Sequence, residues 1–374
     1  MNFEPGFGRF FLPGPTEVRA EVLRGMLRPM MSHRGAQFED FFGRLQDGLR
    51  GIFLTSRPVF VSSSSATGLM EAAVRCAPPG AILSLVNGAF SARFAEIAAS
   101  CGRDTDIVEA PWGSTVDLNE VERRLAARSY SALTVVHSET STGALTDVRP
   151  VAQLAHRYGA LCLVDSVSGV GGAPLRADEW ELDFVLAGSQ KALALPPGLA
   201  FGVASEAYME QAALAPARGK YFDIVEFARY AERDETPNTP ALPLLYALDV
   251  QLAAIAAEGL ERRWERHEAM ARATWEWAET FAERRGVALA ILAPTERRSP
   301  TVSAIVLPEW LRGPEVVAAV AQRGFTIGGG YGKLRERTIR IGHMGDHDLT
   351  TLRACVDACG EAITRLSAGQ LRGV

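Results

Sequence analysis

Between residues 59 and 203 the chain alternates short apolar runs with longer stretches whose apolar positions recur at helical spacing. The runs at 59–61, 82–86 and 132–136, and those beginning at Leu161 and Phe184, read as buried strands. Residues 199–203 read as one more strand, with an antiparallel placement left open. The intervening stretches at 67–76, 91–101, 116–127 and 148–158 read as helices. Such β/α alternation predicts a mostly parallel sheet covered by helices on both faces.

The flanks have a different texture. The opening to Arg19 reads as irregular, with Pro13-Gly14-Pro15-Thr16 as a rigid turn, followed by helical spacing over 17–27. A helix over 36–52 presents Phe38, Phe41, Phe42, Leu45 and Leu49 as one stripe, which reads as core packing. After Pro240 comes a long helix at 242–259, then a charged helical pattern at 260–285 carrying three tryptophans. Strands at 302–307 and 338–341 and helices at 315–323 and 348–366 complete a small α+β unit. The expected organisation is an arm over 1–20, a large domain over 21–255 and a small C-terminal domain over 256–374.

Composition narrows the function classes. The chain has 374 residues, 47% hydrophobic and 22% charged, which suits two unequal globular domains. A net charge of −5 without a Lys/Arg block argues against nucleic acid and against a basic membrane surface. The Gly/Pro-rich opening, with Glu4 and Arg9, lacks a signal-peptide layout, and the apolar stretch at 192–204 is interrupted by Pro196, Pro197 and Gly198. The five cysteines, at 76, 101, 162, 355 and 359, read as free thiols, so a cytoplasmic enzyme is expected.

Chemistry is concentrated where apolar runs end. The run from Leu161 stops at Asp165, and the run from Phe184 stops in Gly188-Ser189-Gln190-Lys191. An acid and an amine at the ends of neighbouring strands suit pyridoxal phosphate, which needs a lysine for its Schiff base and an acid for its pyridinium nitrogen. A surface lysine and a turn-capping aspartate are the other reading of the same two residues. The turn Ser62-Ser63-Ser64-Ser65-Ala66-Thr67 joins a strand to a helix and suits a phosphate, since backbone N–H groups and hydroxyls converge at a helix start. His137-Ser138-Glu139-Thr140-Ser141-Thr142-Gly143 comes after a third strand, and in open α/β sheets ligands bind at such carboxyl ends.

These segments occur in a recognisable order. Together with Met31-Ser32-His33-Arg34 and Arg340-Ile341-Gly342-His343, the turn at Pro13-Gly14-Pro15-Thr16 and the three strand ends resemble the class V aminotransferases over almost the whole chain. That family comprises fold-type I pyridoxal-phosphate enzymes, and the similarity is greatest to its alanine–glyoxylate, serine–glyoxylate and serine–pyruvate branch. The resemblance implies a homodimer with the site at the subunit interface and a ping-pong transamination of a small L-amino acid, alanine or serine, with glyoxylate or pyruvate. By position it implies that Lys191 carries the cofactor and moves the proton, and that Asp165 holds the pyridine nitrogen. Phe90 would stack on the ring, while Ser65, Ala66, Thr67 and Gln190 would surround the phosphate. Thr140 would touch the ring-hydroxyl edge, and Thr239 would reach the phosphate from the second subunit. Arg340 would pair with the substrate carboxylate, a bidentate task, with Gly14 beside the substrate.

The chain departs from the family pattern at several points. Ser64 and Ala66 stand where glycines are usual, Phe90 where tryptophan is frequent, Thr236 where tyrosine is frequent, and Tyr331 where a polar residue is common. The phosphate-turn departures imply a tighter backbone approach and Phe90 a smaller stacking area, whereas Tyr331, in a loop that borders the substrate, bears on the substrate more than on the reaction type. The glycine run at 328–332 reads as a flexible loop bordering the substrate rather than a dinucleotide site. His33 and Arg34 could line the site or serve the N-terminal segment. His343, Asp346 and His347 invite a metal reading, for which no further ligand cluster is evident. A 2-aminoethylphosphonate transaminase, a pyridoxal-phosphate lyase or desulfurase, and a non-catalytic homologue are the alternatives. The aminophosphonate reading requires an additional cationic group that the sequence does not locate.

Overall fold

A computed structural model describes residues 7–368; residues 1–6 of the expected arm, with Glu4, and residues 369–374 lie outside the described range. Seven strands form the larger sheet: β1 (Phe60–Ser62), β2 (Ile82–Val86), β3 (Thr105–Glu109), β4 (Ala132–Val136), β5 (Leu161–Asp165), β6 (Phe184–Gly188) and β7 (Ala200–Ala204). Their spatial order is β1-β7-β6-β5-β4-β2-β3, and β7 runs antiparallel to both of its neighbours. The remaining pairings are parallel, so β1, β2, β4, β5 and β6 all end on one edge.

The central strands are buried on both faces, which is why they are apolar throughout rather than alternating. Strand β3 was not legible as a strand. It lies at the sheet edge with one paired neighbour, so the sequence Thr-Asp-Ile-Val-Glu keeps solvated polar positions there. The helix Ala36–Phe53 buries Phe38, Phe41, Phe42, Leu45 and Leu49 as the stripe predicts. Each such side chain contributes roughly 1.5–3 kcal/mol relative to exposure. The helices Leu118–Ala127 and Val148–Arg157 are capped by Asp117 and Asp147, whose carboxylates accept backbone N–H groups of the first turn. Helices Glu206–Leu214 and Ile224–Ala231 add to the predicted elements, and helix Ala20–Gly25 is shorter than the expected 17–27 because Arg19 is extended.

The long C-terminal helical region is two helices, Leu242–Glu258 and Leu260–Arg285, bent by 85° at Gly259. Gly259 has φ +85°, a conformation that glycine adopts without the Cβ penalty. No single helix among the described residues is long and apolar enough to cross a membrane.

The smaller sheet has five strands in the order Phe10–Phe11, Thr326–Gly329, Thr338–Ile341, Ser303–Val306 and Ala290–Ile291. Two features differ from expectation. The opening segment is not wholly irregular, since Phe10 and Phe11 pair in parallel with Thr326 and Ile327. The glycine run is not wholly a loop either: Gly328 and Gly329 pair with Arg340 and Ile339, which lines up the Arg340 strand beside them. A separate apolar cluster, with Phe11, Phe281, Ile305, Ile339 and Ile363, forms the core beneath this sheet.

Candidate active site

The carboxyl ends of β1, β4, β5 and β6 converge on one cavity of about 320 Å³. It is lined by Gly14, Ser65, Ala66, Thr67, Phe90, Thr140, Asp165, Gln190 and Lys191, nine of the residues singled out from sequence. Each arrives for a local reason. Asp165 ends a strand whose preceding residues are apolar and buried, and Lys191 stands just past the turn after β6. Ser65 is the extended N-cap residue of helix Ala66–Cys76 and makes no side-chain cap bond, so the N–H groups of that first turn are not capped by it.

Asp165 and Lys191 are both almost wholly buried. One Asp165 oxygen accepts the Val167 N–H at 2.8 Å. Burial raises its carboxyl to about 7, opposed by that N–H; Glu139 raises it further, while Lys191 and Arg93 lower it. Burial also lowers the Lys191 amine to about 8, helped by Arg340 and opposed by Asp165 and Glu139. The Lys191 ammonium donates to the Pro13 carbonyl and stands 5.8 Å from the Phe90 ring centroid. Gly14 makes room for it: with φ +109°, any Cβ there would collide with the lysine side chain.

Phe90 is held from behind by Glu139, a completely buried carboxylate. Glu139 Oε2 accepts the N–H groups of Phe90 at 3.1 Å and Ser91 at 2.9 Å, together with the Ser91 hydroxyl at 3.0 Å. Its Oε1 accepts the Ser141 N–H at 3.1 Å and hydroxyl at 2.6 Å. A negative charge at the start of helix Ala89–Ser100 is favoured by the helix dipole. Gly88 permits the approach, since a Cβ there would meet the Glu139 side chain. Sequence reasoning gives Glu139 no role of its own. It also misses Arg93, which lines the cavity three residues after Phe90; the helical i, i+3 spacing was the available signal.

Arg340 lies beside the cavity rather than in its lining. Its Nε donates to Gly329 O at 2.8 Å and its Nη1 to Thr140 O at 3.0 Å. The Thr140 hydroxyl is 2.6 Å from that of Ser168, which also lines the cavity.

Thr239 is not brought to the cavity of its own chain. It is exposed, 3.4 Å from His33 Nε2, in a loop whose turn is fixed by Thr236 Oγ1 donating to Asn238 O at 2.8 Å. Arg34 lies near the same loop, 3.9 Å from Glu235, so His33 and Arg34 serve that surface. His343 bonds Ser303 and Pro300, His347 bonds Phe10 O, and Asp346 pairs with Arg19 and Arg263, which gives all three structural partners. None of the five cysteines lines the cavity, the feature a desulfurase would require. A larger groove of about 670 Å³ near Arg75 and Arg103 contains none of the residues predicted to act.

The cavity fits pyridoxal phosphate. A buried amine, an acid that can remain charged beside a cationic ring nitrogen, an aromatic face and an uncapped helix start surround one volume, and Gly14 keeps the amine unobstructed.

A family model for class-V aminotransferases matches residues 25–330. The chain is 32% identical to the serine–glyoxylate aminotransferase of Methylorubrum extorquens, over 95% of this chain and 90% of that one. It is 33% identical to the L-aspartate–glyoxylate aminotransferase of Paracoccus denitrificans, over 90% and 86% respectively. The solved structure of the alanine–glyoxylate aminotransferase from Nostoc sp. matches with a TM-score of 0.88 and 29% identity, covering 97% of each chain. With strand ends, cavity and whole-chain similarity in agreement, the chain belongs to the class-V aminotransferases, as a fold-type I, pyridoxal-phosphate-dependent transaminase.

Proposed function

We propose that this transaminase moves the amino group of a small L-amino acid, alanine or serine, to glyoxylate or pyruvate in two alternating half-reactions. Lys191 and Asp165 lining one buried cavity is the observation that carries the assignment of roles. Bound there, pyridoxal phosphate supplies an electron sink for the charge left on the substrate's α-carbon. Lys191 holds the cofactor between turnovers and moves the proton from the α-carbon, and its lowered basicity raises the share of neutral amine near neutral pH above that of an ordinary lysine. Asp165 stays ionised against the ring nitrogen, which reverses the effect of its own burial. Phe90 covers one ring face and Thr140 the hydroxyl edge. Ser65, Ala66, Thr67 and Gln190 receive the phosphate, which is where the helix start of Ala66–Cys76 is useful.

Arg340 takes the α-carboxylate next to Gly14. Its two bonds to backbone carbonyls fix the guanidinium before substrate arrives. Thr239 acts on the phosphate of a second subunit, consistent with its exposure and its distance from its own cavity; a cytoplasmic homodimer completes the reading. Residues 1–20, 21–255 and 256–374 serve as arm, cofactor domain and small domain.

The test is a visible-spectrum titration of the holoenzyme with single amino donors and no acceptor. Conversion of the cofactor to its amine form by alanine or serine supports the proposal. A cofactor band that neither alanine nor serine converts overturns the donor assignment.

A further inference from the structure

The cavity is lined by an arginine that the proposed reaction leaves unused. Arg93 lies on helix Ala89–Ser100, one turn after Phe90, and its guanidinium carbon is 4.9 Å from the Phe90 ring centroid. Its Nη2 donates to the Tyr331 hydroxyl at 3.0 Å. Among the described residues no Asp or Glu forms an ion pair with it, in a protein whose other cavity-facing charges, Lys191 and Asp165, are one of each sign. Its charge is felt at the reacting groups, since it lowers both Asp165 and Lys191.

Tyr331 ties this arginine to the one already assigned. Its ring centroid lies 5.4 Å from that of Phe90 and 5.5 Å from the Arg340 guanidinium carbon. One side chain from the small-domain loop therefore spaces two guanidinium groups, touching one through its ring and the other through its hydroxyl. Arg340 already gives two of its nitrogens to backbone carbonyls. Arg93 gives one N–H to a neutral hydroxyl and keeps others for a ligand, and guanidinium geometry suits a carboxylate or phosphate. This is the cationic reach that the sequence alone did not locate.

We propose that Arg93, held by Tyr331, is a specificity-determining residue that binds a second anionic group on the amino donor, so that the enzyme also accepts acidic amino acids. The proposal rests on the transaminase reading above. The α-carboxylate goes to Arg340, and the side-chain carboxylate of an aspartate-like donor, or the phosphate of a phosphoserine-like one, goes to Arg93. Both share the chemistry of a planar or tetrahedral oxyanion facing a guanidinium. Neutral donors leave Arg93 to Tyr331.

The experiment compares L-aspartate, L-phosphoserine and L-alanine as donors for the holoenzyme, by half-reaction spectroscopy and steady-state kcat/KM, in the native chain, Arg93→Gln and Tyr331→Phe. Losing a charge-assisted hydrogen-bonding partner predicts that Arg93→Gln lowers the ratio of acidic-donor to alanine kcat/KM by about 10- to 100-fold. Tyr331→Phe frees the guanidinium from its tether and raises KM for the acidic donor several-fold more than KM for alanine. A preference for aspartate over phosphoserine, or the reverse, identifies which anion fits. An unchanged ratio in Arg93→Gln, or a native enzyme that turns over alanine but neither acidic donor, overturns the proposal while leaving the transaminase intact. If no donor converts the cofactor, the underlying donor assignment has failed instead. Should Arg93→Gln fail to bind cofactor, the Tyr331→Phe ratio decides: a selective loss for acidic donors supports Arg93, and a parallel change in all donors overturns it.

Discussion

Glu139 grips the backbone of Phe90: its carboxylate oxygens lie 3.1 and 3.3 Å from the Phe90 nitrogen, deep under the aromatic face that fronts the cavity. The platform is thus set by a buried carboxylate on the short hairpin after β4, in which Glu139 pairs with Ala144, and not by packing of the ring alone.

Replacing Glu139 by alanine leaves the N–H groups of Phe90, Ser91 and Ser141 without that partner. Unsatisfied buried donors cost about 1–3 kcal/mol each, partly relieved by water entering the space. A loss of at least about 2 kcal/mol in urea denaturation is expected, with weaker visible circular dichroism of the bound cofactor. Full stability in that variant would show that the carboxylate is dispensable.

Lys191→Ala should abolish steady-state turnover while the fold survives, because the amine's nearest partner is only the Pro13 carbonyl. Positioned proton transfer alone contributes about 10²–10⁴-fold. Asp165→Ala should lower kcat by a comparable order, an effect larger than its change in the stability of the holoenzyme. Activity and melting measured on one preparation separate the two effects, and appreciable transamination by Lys191→Ala would refute its assigned role.

Gly14→Ala tests the space around the amine. Alanine must adopt φ +109° and place its Cβ against the Lys191 side chain. Left-handed backbone costs a non-glycine residue roughly 1–2 kcal/mol before any clash is counted. Cofactor loading should weaken by at least about tenfold, read by fluorescence titration, and a variant that loads normally would mean that the segment shifts without cost.

Asp165 makes the cofactor-free protein sensitive to pH in a predictable direction. Its carboxyl rises to about 7 in the fold, against about 3.9 in the unfolded chain. Between those values the folded state binds the extra proton, so the group's contribution to stability declines as pH rises from about 4 to 7. Relative to Asp165→Asn, the cofactor-free native chain should lose on the order of 2–4 kcal/mol between pH 5 and pH 8. Paired denaturation curves at the two pH values check this; a difference of opposite sign would contradict the buried, uncompensated carboxylate.

Much of the site was legible because parallel strands buried on both faces are written as unbroken apolar runs, and the residues just past each run must stand at the same sheet edge. Asp165, Lys191 and the stretch from His137 were found that way. Arg93 and Glu139 were not assigned because their meaning depends on contacts across 238 and 49 residues, to Tyr331 and Phe90. Gly328 and Gly329 looked like loop because glycine carries no strand propensity; their pairing comes from the neighbouring Arg340 strand, and a Cβ at Gly328 would press on Pro13 at 2.7 Å. Strand β3 was hidden by its exposed edge, where polar residues carry no penalty.

The pairing of Phe10 with Thr326 also bears on how the protein is made. Their separation, 326 − 10 = 316 residues, means that the Phe10 segment has no sheet partner until 316 further residues have been made. At about 5–20 residues per second that wait is roughly 16–63 s. Pro13, which receives the Lys191 ammonium, and Thr16, whose N–H bonds Gln190 O at 3.0 Å, come immediately after it in the same segment. All seven strands of the larger sheet, which ends at Ala204, are therefore made well before Thr326 can anchor the segment carrying Pro13 to the smaller sheet.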